Sequence, residues 1–156
     1  MSKIRGGIGK IEIANNETFD TTSPNWAITI PATALPQEGN EVPEPAVETV
    51  QLADGRNVNV GYTVTFAIRV KEIAAADLQN LKDAEDQDTE LWIRYSSADL
   101  ASDGTTPKLV AVLKKVLLTR VTDLLLAARP GLSAAIIEGN TSGATLDDVM
   151  TTTVTT

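Results

Sequence analysis

Three short stretches of the sequence hold residues whose types could support chemistry. They are the glycine-rich "GGIGK" at 6–10, the acidic "DAEDQDTE" at 83–90 and the acid pair "DD" at 147–148. The first resembles part of a phosphate-binding loop and the second part of a calcium loop. The third could supply paired carboxylates for acid–base catalysis. Each kind of site also makes demands on neighbouring positions, and those demands test the three interpretations.

The glycine-rich stretch does not meet the requirements of a nucleotide-binding loop. Such a loop needs a glycine five residues before Gly9, a Ser or Thr after Lys10, and a helix that follows. Positions 4 and 11 are both isoleucine, and the alternating residues that follow indicate a strand. We therefore interpret this stretch as the entry into a first β-strand.

The acidic stretches fail in a similar way. Counted from Asp86, a calcium loop needs glycine and glutamate where this chain has Leu91 and Ser97. A charged helix end followed by a turn explains the stretch better. The pairs Asp86/Asp88 and Asp147/Asp148 lie in polar segments, where nothing in the sequence would desolvate a carboxyl group and raise its pKa.

The composition excludes several classes of enzyme. The chain has no cysteine and no histidine, which removes thiol nucleophiles, disulfides, Ser-His-Asp catalysis and zinc hydrolase chemistry. Only carboxylate, lysine, tyrosine or hydroxyl chemistry remains. We assign no catalytic, cofactor-binding or metal-binding residue, expect no cofactor, and interpret the basic cluster around Lys114 and Lys115 as a solvated face or a salt-bridge partner to a neighbour.

The charge of the chain is negative and unevenly distributed. The 13 basic and 21 acidic residues give a net charge of −8, whereas a protein that grips phosphates should be basic. From Ile11 to Gly55 the sequence has acids but no Lys or Arg. This stretch is either a solvated surface or a surface that repels DNA or meets a basic partner.

The length and hydropathy indicate one domain away from membranes. A chain of 156 residues that is 42% hydrophobic can form a single core, so we expect residues 1–156 to be one domain. No apolar run approaches the length of about 18 residues that crosses a bilayer. The N-terminus has no apolar segment of a signal peptide, so we expect synthesis in the cytoplasm.

Most of the chain has the alternating pattern of half-buried strands. We predict strands at 9–14, 26–30, 47–52, 57–70 and 89–97, and a short helix near residues 74–84. The "DG" at 54–55 between two alternating runs predicts a hairpin. A proline-rich loop at 31–46 and a threonine-rich C-terminal arm at 145–156 are predicted to be irregular, and the loop is expected to make contacts.

The stretch "KLVAVLKKVLLTRVTDLLLAARPG" at 108–131 is ambiguous. Val110, Leu113, Leu117, Val121 and Leu124 have helical spacing, and periodicity alone favours a helix that ends at Pro130-Gly131. The alternative divides the block near the two lysines at 114–115. Its second half then pairs with "SAAIIEG" at 133–139 as another hairpin.

The order of these segments resembles that of a phage major tail tube protein, and in outline the tube proteins of contractile injection systems. The resemblance is carried by "GGIGKIEI", the acidic loop, "DGRNVNVGYTVTFAIRV", "AAADLQNL", "TELWIRY" and the late "AAIIEGN". It implies a mainly β fold, a β-sandwich or barrel of tail-tube type with one short α-helix near residues 74–84 on its flank. It also implies strands in residues 108–139, against the local periodicity.

The resemblance further implies a structural, non-enzymatic subunit that assembles with itself. The expected partners are further copies in hexameric rings stacked into a tube, other tail proteins such as the sheath, tape measure or terminator, and DNA as non-specifically passing cargo. The expected location is the virion tail. A capsid decoration or other head-associated protein is the alternative, and a small carboxylate-based enzyme is the third interpretation.

Two sets of residues are the candidate assembly sites. Unpaired strand edges promote association, so the hairpin and the proline-rich loop should meet other subunits. The candidate contact residues are Val50, Leu52, Tyr62, Val64, Phe66, Ile68, Leu35 and Val42. The candidates for an acidic lumen or interface are Glu48, Asp54, Glu38, Glu41 and Glu44.

Overall fold

The alternating segments of the sequence form the strands of one antiparallel sheet. The structure is a computed structural model that describes residues 7–36, 40–124 and 132–156. Its strands are β1 Ile8–Ala14, β2 Ala27–Pro31, β3 Ala46–Gln51, β4 Asn57–Ala74, β5 Leu91–Ser97, β6 Leu109–Asp123, β7 Leu132–Gly143 and β8 Met150–Val154. The helices are α1 Ala75–Asp86 and the single turn α2 Leu146–Val149. The predicted mainly β fold with one short flanking helix is confirmed.

The strands follow the order β2-β1-β5-β6-β7-β4-β3, and β8 pairs with β6 outside this path. β5 and β8 both pair with Val110–Leu113 of β6, so they lie on opposite edges of that strand. β7 pairs with the second half of β6, from Leu117 to Asp123. Among the described strands, β2 and β3 therefore form the two ends of the path.

One hydrophobic core takes side chains from both ends of this sheet. Ile11 and Ile13 of β1, near one end, belong to the same buried cluster as Val64 of β4, near the other. A short 3-10 turn, Ala32–Ala34, packs against both strands. The sheet must therefore curl around the core, and α1 packs against β4 and β6 with Leu78, Leu81 and Ala84 buried.

The ambiguous stretch near residue 108 is a strand, so the interpretation as a helix from periodicity was wrong. β6 runs from Leu109 to Asp123 and pairs with β7 in the hairpin that the resemblance implied. A β-bulge lies at the two lysines, where residues 114 and 115 lie between the pairs Leu91–Val116 and Ile93–Leu113. Lys115 has a φ of 53°, in the left-handed region. This extra residue shifts the side-chain alternation, which explains why the apolar spacing mimics a helix. The predicted continuation past Leu124 falls at 125–131, outside the described residues.

The segments predicted to be irregular differ in their outcome. The proline-rich loop contains the short 3-10 turn and otherwise lacks regular structure at 35–36 and 40–45. The threonine-rich arm at 145–156 is instead ordered into α2 and β8. Thr145 caps α2 in a capping box with Asp148, and β8 pairs with β6 from Met150 to Val154. Threonine is a β-branched residue that favours strands, and the sequence analysis did not use this preference for the run of threonines at 151–153.

One ion pair joins β1 to β5 beside the core. The Glu12 carboxylate accepts two hydrogen bonds of 2.8 Å from the Arg94 guanidinium, and the Phe19 ring lies 4.2 Å from that guanidinium. Burial by itself would raise the pKa of Glu12, but the hydrogen bonds and charge of Arg94 outweigh it and lower the pKa. The pair therefore stabilises the fold above the ordinary carboxyl pKa, and this contribution is lost as the pH falls through the lowered value.

We expect Arg94→Met to lower the free energy of unfolding by about 1–3 kcal/mol near neutral pH, because Glu12 would remain largely buried with only Lys10, 3.7 Å away, to balance its charge. Glu12→Gln should cost less, because Arg94 is partly exposed and can be hydrated. Urea unfolding of both variants measures this order. The deficit of Arg94→Met should shrink at acidic pH, where Glu12 becomes protonated. A deficit that does not change with pH would contradict this account.

The bulge gives a second prediction about stability. A residue other than glycine in the left-handed region costs roughly 1 kcal/mol, and a glycine within a strand costs a similar amount. Lys115→Gly should therefore be neutral or slightly stabilising, whereas Lys114→Gly should destabilise. We expect their melting temperatures to differ in that order. Equal losses in the two variants would show that the bulge is not strained.

Candidate assembly surface

Among the described residues, the longest run that is exposed throughout is the hairpin at residues 46–60, called the ribbon below. It consists of β3, the turn at 52–56 and the first four residues of β4. Every residue of the ribbon is exposed. From Gly61 onward, β4 enters the sheet and its inward-facing residues become buried.

The exposed ribbon is rich in apolar side chains. Its large apolar residues are Val47, Val50, Leu52, Val58 and Val60, with exposures from 37% to 53%. A two-stranded ribbon is marginally stable in water, and apolar side chains on both strands gain nothing from solvent. The ribbon therefore has the character of a contact surface.

The turn of the ribbon is well ordered by its own hydrogen bonds, as the "DG" signal predicted. The Leu52 N–H donates to the Arg56 carbonyl at 2.7 Å, and the Gly55 N–H donates to the Leu52 carbonyl at 3.0 Å. Gly55 has a φ of +88°, which glycine adopts without strain. Arg56 also pairs with Asp54 at 2.6 Å, so the tip holds its one cation close to an acid.

The base of the ribbon is fixed at Gly61. A Cβ at this position would lie 2.9 Å from the Gly143 carbonyl oxygen, so a side chain would push the ribbon away from β7. Next to it, the Thr63 hydroxyl donates to Glu48 and lies 3.1 Å from the Ser142 hydroxyl. This chain of polar contacts crosses β3, β4 and β7 and holds the ribbon at a defined angle to the sheet.

The outer edge of β4 continues past the end of β3. β3 pairs with β4 as far as Ala46 opposite Thr63. Six residues further along, the Asn40 amide donates to the Arg69 carbonyl at 2.8 Å and accepts from the Arg69 N–H at 2.9 Å. Asn40 stands opposite Arg69 in the same register that pairs Ala46 with Thr63. Residues 40–46 thus follow the edge of β4 as a strap.

Two open grooves flank the base of the ribbon. The first, of about 600 Å³, is lined by Pro45, Tyr62, Leu146, Asp147, Met150, Thr151 and Thr152. The second, of about 730 Å³, is more polar, and its lining includes Lys114, Lys115, Asp147 and Asp148. Asp77, the carboxyl whose pKa is raised by burial, lines neither groove. Within the described parts of the chain, acidic residues form no cluster suited to a metal ion.

The predicted contact residues divide into three groups. Val50 and Leu52 lie on the ribbon and are exposed. Tyr62 and Val42 are partly buried and pack against the core. Val64, Phe66, Ile68 and Leu35 are buried in the core of their own chain, so their side chains are not available to another subunit. The alternation correctly predicted that one face of β4 is apolar, but the core of the same chain already covers that face.

The acidic candidates are arranged along the strap and the ribbon. Glu41, Glu44, Glu48 and Asp54 are exposed, whereas Glu38 lies outside the described residues. Val47, Val58 and Val60 were not among the predicted contact residues, although Val47 and Val60 are as exposed as Val50 and Val58 is exposed to a lesser degree. The alternation in "VETVQL" and "NVNV" extends to them. It could have identified them if both faces of the hairpin had been treated as uncovered.

No protein-family model and no curated protein matches the sequence. Solved structures do resemble it. A chain of the cryo-EM structure of the anti-feeding prophage baseplate, 6-fold symmetrised, matches with 13% identity and a TM-score of 0.50, covering 99% of this chain and 98% of that one. A mutant form of the Hcp1 protein from E. coli matches with 10% identity and a TM-score of 0.43 over 94% of this chain and 99% of that one. The predicted resemblance to tube-like proteins is confirmed at the level of the fold.

The exposure of the ribbon predicts its hydrogen exchange. In the monomeric chain, backbone amides of residues 57–60 should exchange much faster than those of residues 64–70 of the same strand, because only the latter lie against a core. Mass spectrometry of peptides from the two halves of β4 measures the contrast, with the second half as internal control. Equal protection in the dilute monomer would show that the ribbon is stable without a partner.

Proposed function

We propose that the chain is a structural subunit that assembles with further copies of itself into rings, and that the rings stack into a tube. The observation that carries this proposal is the ribbon. It places five large apolar side chains in solvent on a hairpin that has no core behind it. A second copy of the chain would cover these side chains and pair the outer edge of β3.

A contact between the ribbon of one copy and a different surface of the next copy is compatible with closed rings. A ribbon of one copy that binds a different surface on the next copy makes a heterologous contact, which produces a ring when the rotation closes. The hydrogen bonds that link the side chains of Glu48, Thr63 and Ser142 hold the ribbon at one angle to the sheet. A fixed angle is what a constant number of subunits per ring requires. Six per ring is the number that the family resemblance implies.

More specifically, we propose that the tube belongs to the tail of a phage or phage-like particle and serves as a conduit for DNA. Its other partners would be tail components such as the sheath, tape measure or terminator proteins. The acids of the strap and ribbon support this assignment, because a conduit must not hold phosphates. Among residues 41–56, Arg56 is the one basic residue, and Asp54 neutralises it.

The basic residues of β4 determine how this conduit can be arranged. Arg69 and Lys71 are exposed on the same face of the strand as Thr65. Lysines and arginines along a bore would bind passing phosphates, and weak contacts repeated in every ring would slow DNA. We therefore propose that the acids of the ribbon face the bore, whereas Arg69 and Lys71 meet acids of adjacent subunits.

The strap is the proposed contact between rings. Pro43 and Pro45 lower the entropy that this segment loses when it becomes ordered against a partner. Val42 already packs partly against the core and fixes the middle of the strap, while Glu41 and Glu44 remain exposed. The strap could therefore present the same shape and charge in every subunit.

A lysine substitution on the ribbon tests the proposed function. Val50→Lys should give a folded monomer that no longer forms rings or tubes, because each contact would have to bury a cation without a partner. Leu100→Lys is the matched control, since Leu100 is 49% exposed and Val50 is 50% exposed. Negative-stain images and sedimentation of both variants beside the unmodified chain measure assembly. Circular dichroism reports whether the fold is retained.

The two variants give distinct outcomes. Tubes from Leu100→Lys and monomers from Val50→Lys would support assembly through the ribbon. Normal tubes from Val50→Lys would remove the ribbon from the interface. An unmodified chain that remains monomeric at every concentration would contradict the proposed function itself.

A further inference from the structure

The sheet is forked on one side of the ribbon. β4 pairs with β7 as far as Tyr62 opposite Gly143, and then departs from the sheet at Gly61 as part of the ribbon. On the other side of the fork, β7 gives way to α2 and β8, which continues along β6. The groove of about 600 Å³ lies between the two branches, with Tyr62 and Pro45 on one side and Met150 to Thr152 on the other.

The outer edge of β8 is open within the described part of the chain. The Thr155 N–H donates to the Lys108 carbonyl at 2.9 Å, which fixes the hydrogen-bonding phase of this ladder. In that phase the backbone groups of Thr153 point towards β6, while those of Thr152 point away from it. No described strand pairs with this side of β8.

β8 also lacks the features that usually protect a strand edge. Such edges carry charged side chains, prolines or bulges that prevent pairing with other chains. The sequence of β8, "MTTTV", has no charge and no proline, and its pairing with β6 runs without a bulge. At the end of the groove, Leu146 is 45% exposed, so the open edge lies beside an uncovered apolar side chain.

The ribbon of the same copy diverges from β8 at Gly61, so the available occupant is the ribbon of another copy. Building on the proposed function, we propose that β8 is the receiving edge of the assembly, and that β3 of a second copy pairs with it. The valines of that ribbon would then cover the groove and Leu146. β3 carries one charge, Glu48, and β8 carries none that would repel it.

This pairing joins two different surfaces of identical chains. Each copy donates a ribbon at one end of its sheet and receives a ribbon at β8, so the contact is heterologous and can close into a ring. A ribbon-to-ribbon contact would instead be two-fold and would end at a dimer. The two arrangements therefore predict different neighbours for Val50.

Cysteine pairing distinguishes these arrangements. The native chain has no cysteine, so introduced thiols report only the contact of interest. Val50→Cys and Thr152→Cys proteins are mixed in equal amounts under assembly conditions and oxidised mildly, and the linked peptides are identified by mass spectrometry. We expect the 50–152 disulfide to dominate. A mixture of Val50→Cys with Leu100→Cys, a position outside the groove, is the control and should give no corresponding link.

A pair of proline variants tests the backbone edge directly. Thr152→Pro removes an N–H that points away from β6, so the fold should persist while assembly requires a roughly tenfold higher concentration. Thr153→Pro removes an N–H that bonds to β6 and should destabilise the monomer. Sedimentation gives the assembly concentration, and thermal melting gives the stability. Unchanged assembly of folded Thr152→Pro would overturn the proposal.

The cross-linking outcomes separate this inference from the proposed function. Tubes in negative-stain images without a 50–152 link would overturn the proposal that β8 is the receiving edge, but the proposed function as a tube subunit would remain. A 50–152 link at high concentration without rings or tubes would support the contact and count against the tube. A dominant 50–50 link would overturn the receiving edge, and the absence of both assembly and links would contradict both.

Discussion

The constraint on which this molecule depends is that backbone groups at the edges of a β-sheet need partners. A single antiparallel sheet curled around one core leaves β2 and β3 at its ends. The chain meets this constraint differently along its length. The two ends of the sheet approach each other through the 3-10 turn that touches β1 and β4, whereas the ribbon extends away from the core with its edge and its valines uncovered. A hairpin of this kind is explained by what it binds, because its own chain gives it little stability.

The sequence predicted five of the strands from the alternation of apolar and polar residues, which is clearest in β4 beyond Gly61, where inward-facing residues are buried and outward-facing residues are exposed. The sequence was less informative where a bulge interrupts the alternation of a strand. In β6, the bulge at Lys114 and Lys115 inserts a residue into the alternation, and the apolar positions then fall at helical spacing. Local periodicity cannot distinguish that case from a helix, because the deciding hydrogen bonds come from β5, β7 and β8, which lie outside the stretch being read. The family resemblance resolved the ambiguity because it includes the order of the segments.

At the candidate assembly surface, too, the local sequence pattern does not show which distant parts of the chain lie against a strand. Alternation shows that Val64, Phe66 and Ile68 share a face with Tyr62, but it does not show what covers that face. In the structure the rest of the core covers the three buried residues, and this coverage ends where β4 continues into the ribbon. The exposed valines of the ribbon follow the same pattern in sequence as the buried ones. Their different fates depend on Gly61, where the close approach of Gly143 sets the direction of the ribbon.

The amide of Asn40 has a consequence for the behaviour of the chain before it meets a partner. Opposite Arg69 it supplies the donor and the acceptor that a neighbouring strand would supply, and Pro43 and Pro45 in the same segment have no N–H to offer. A passing extended chain therefore finds this length of β4 already occupied. Cross-β growth, in which each added strand templates the next, is blocked along this part of β4, the longest of the described strands. One asparagine side chain and two prolines thus protect this edge of β4 from pairing with another extended chain.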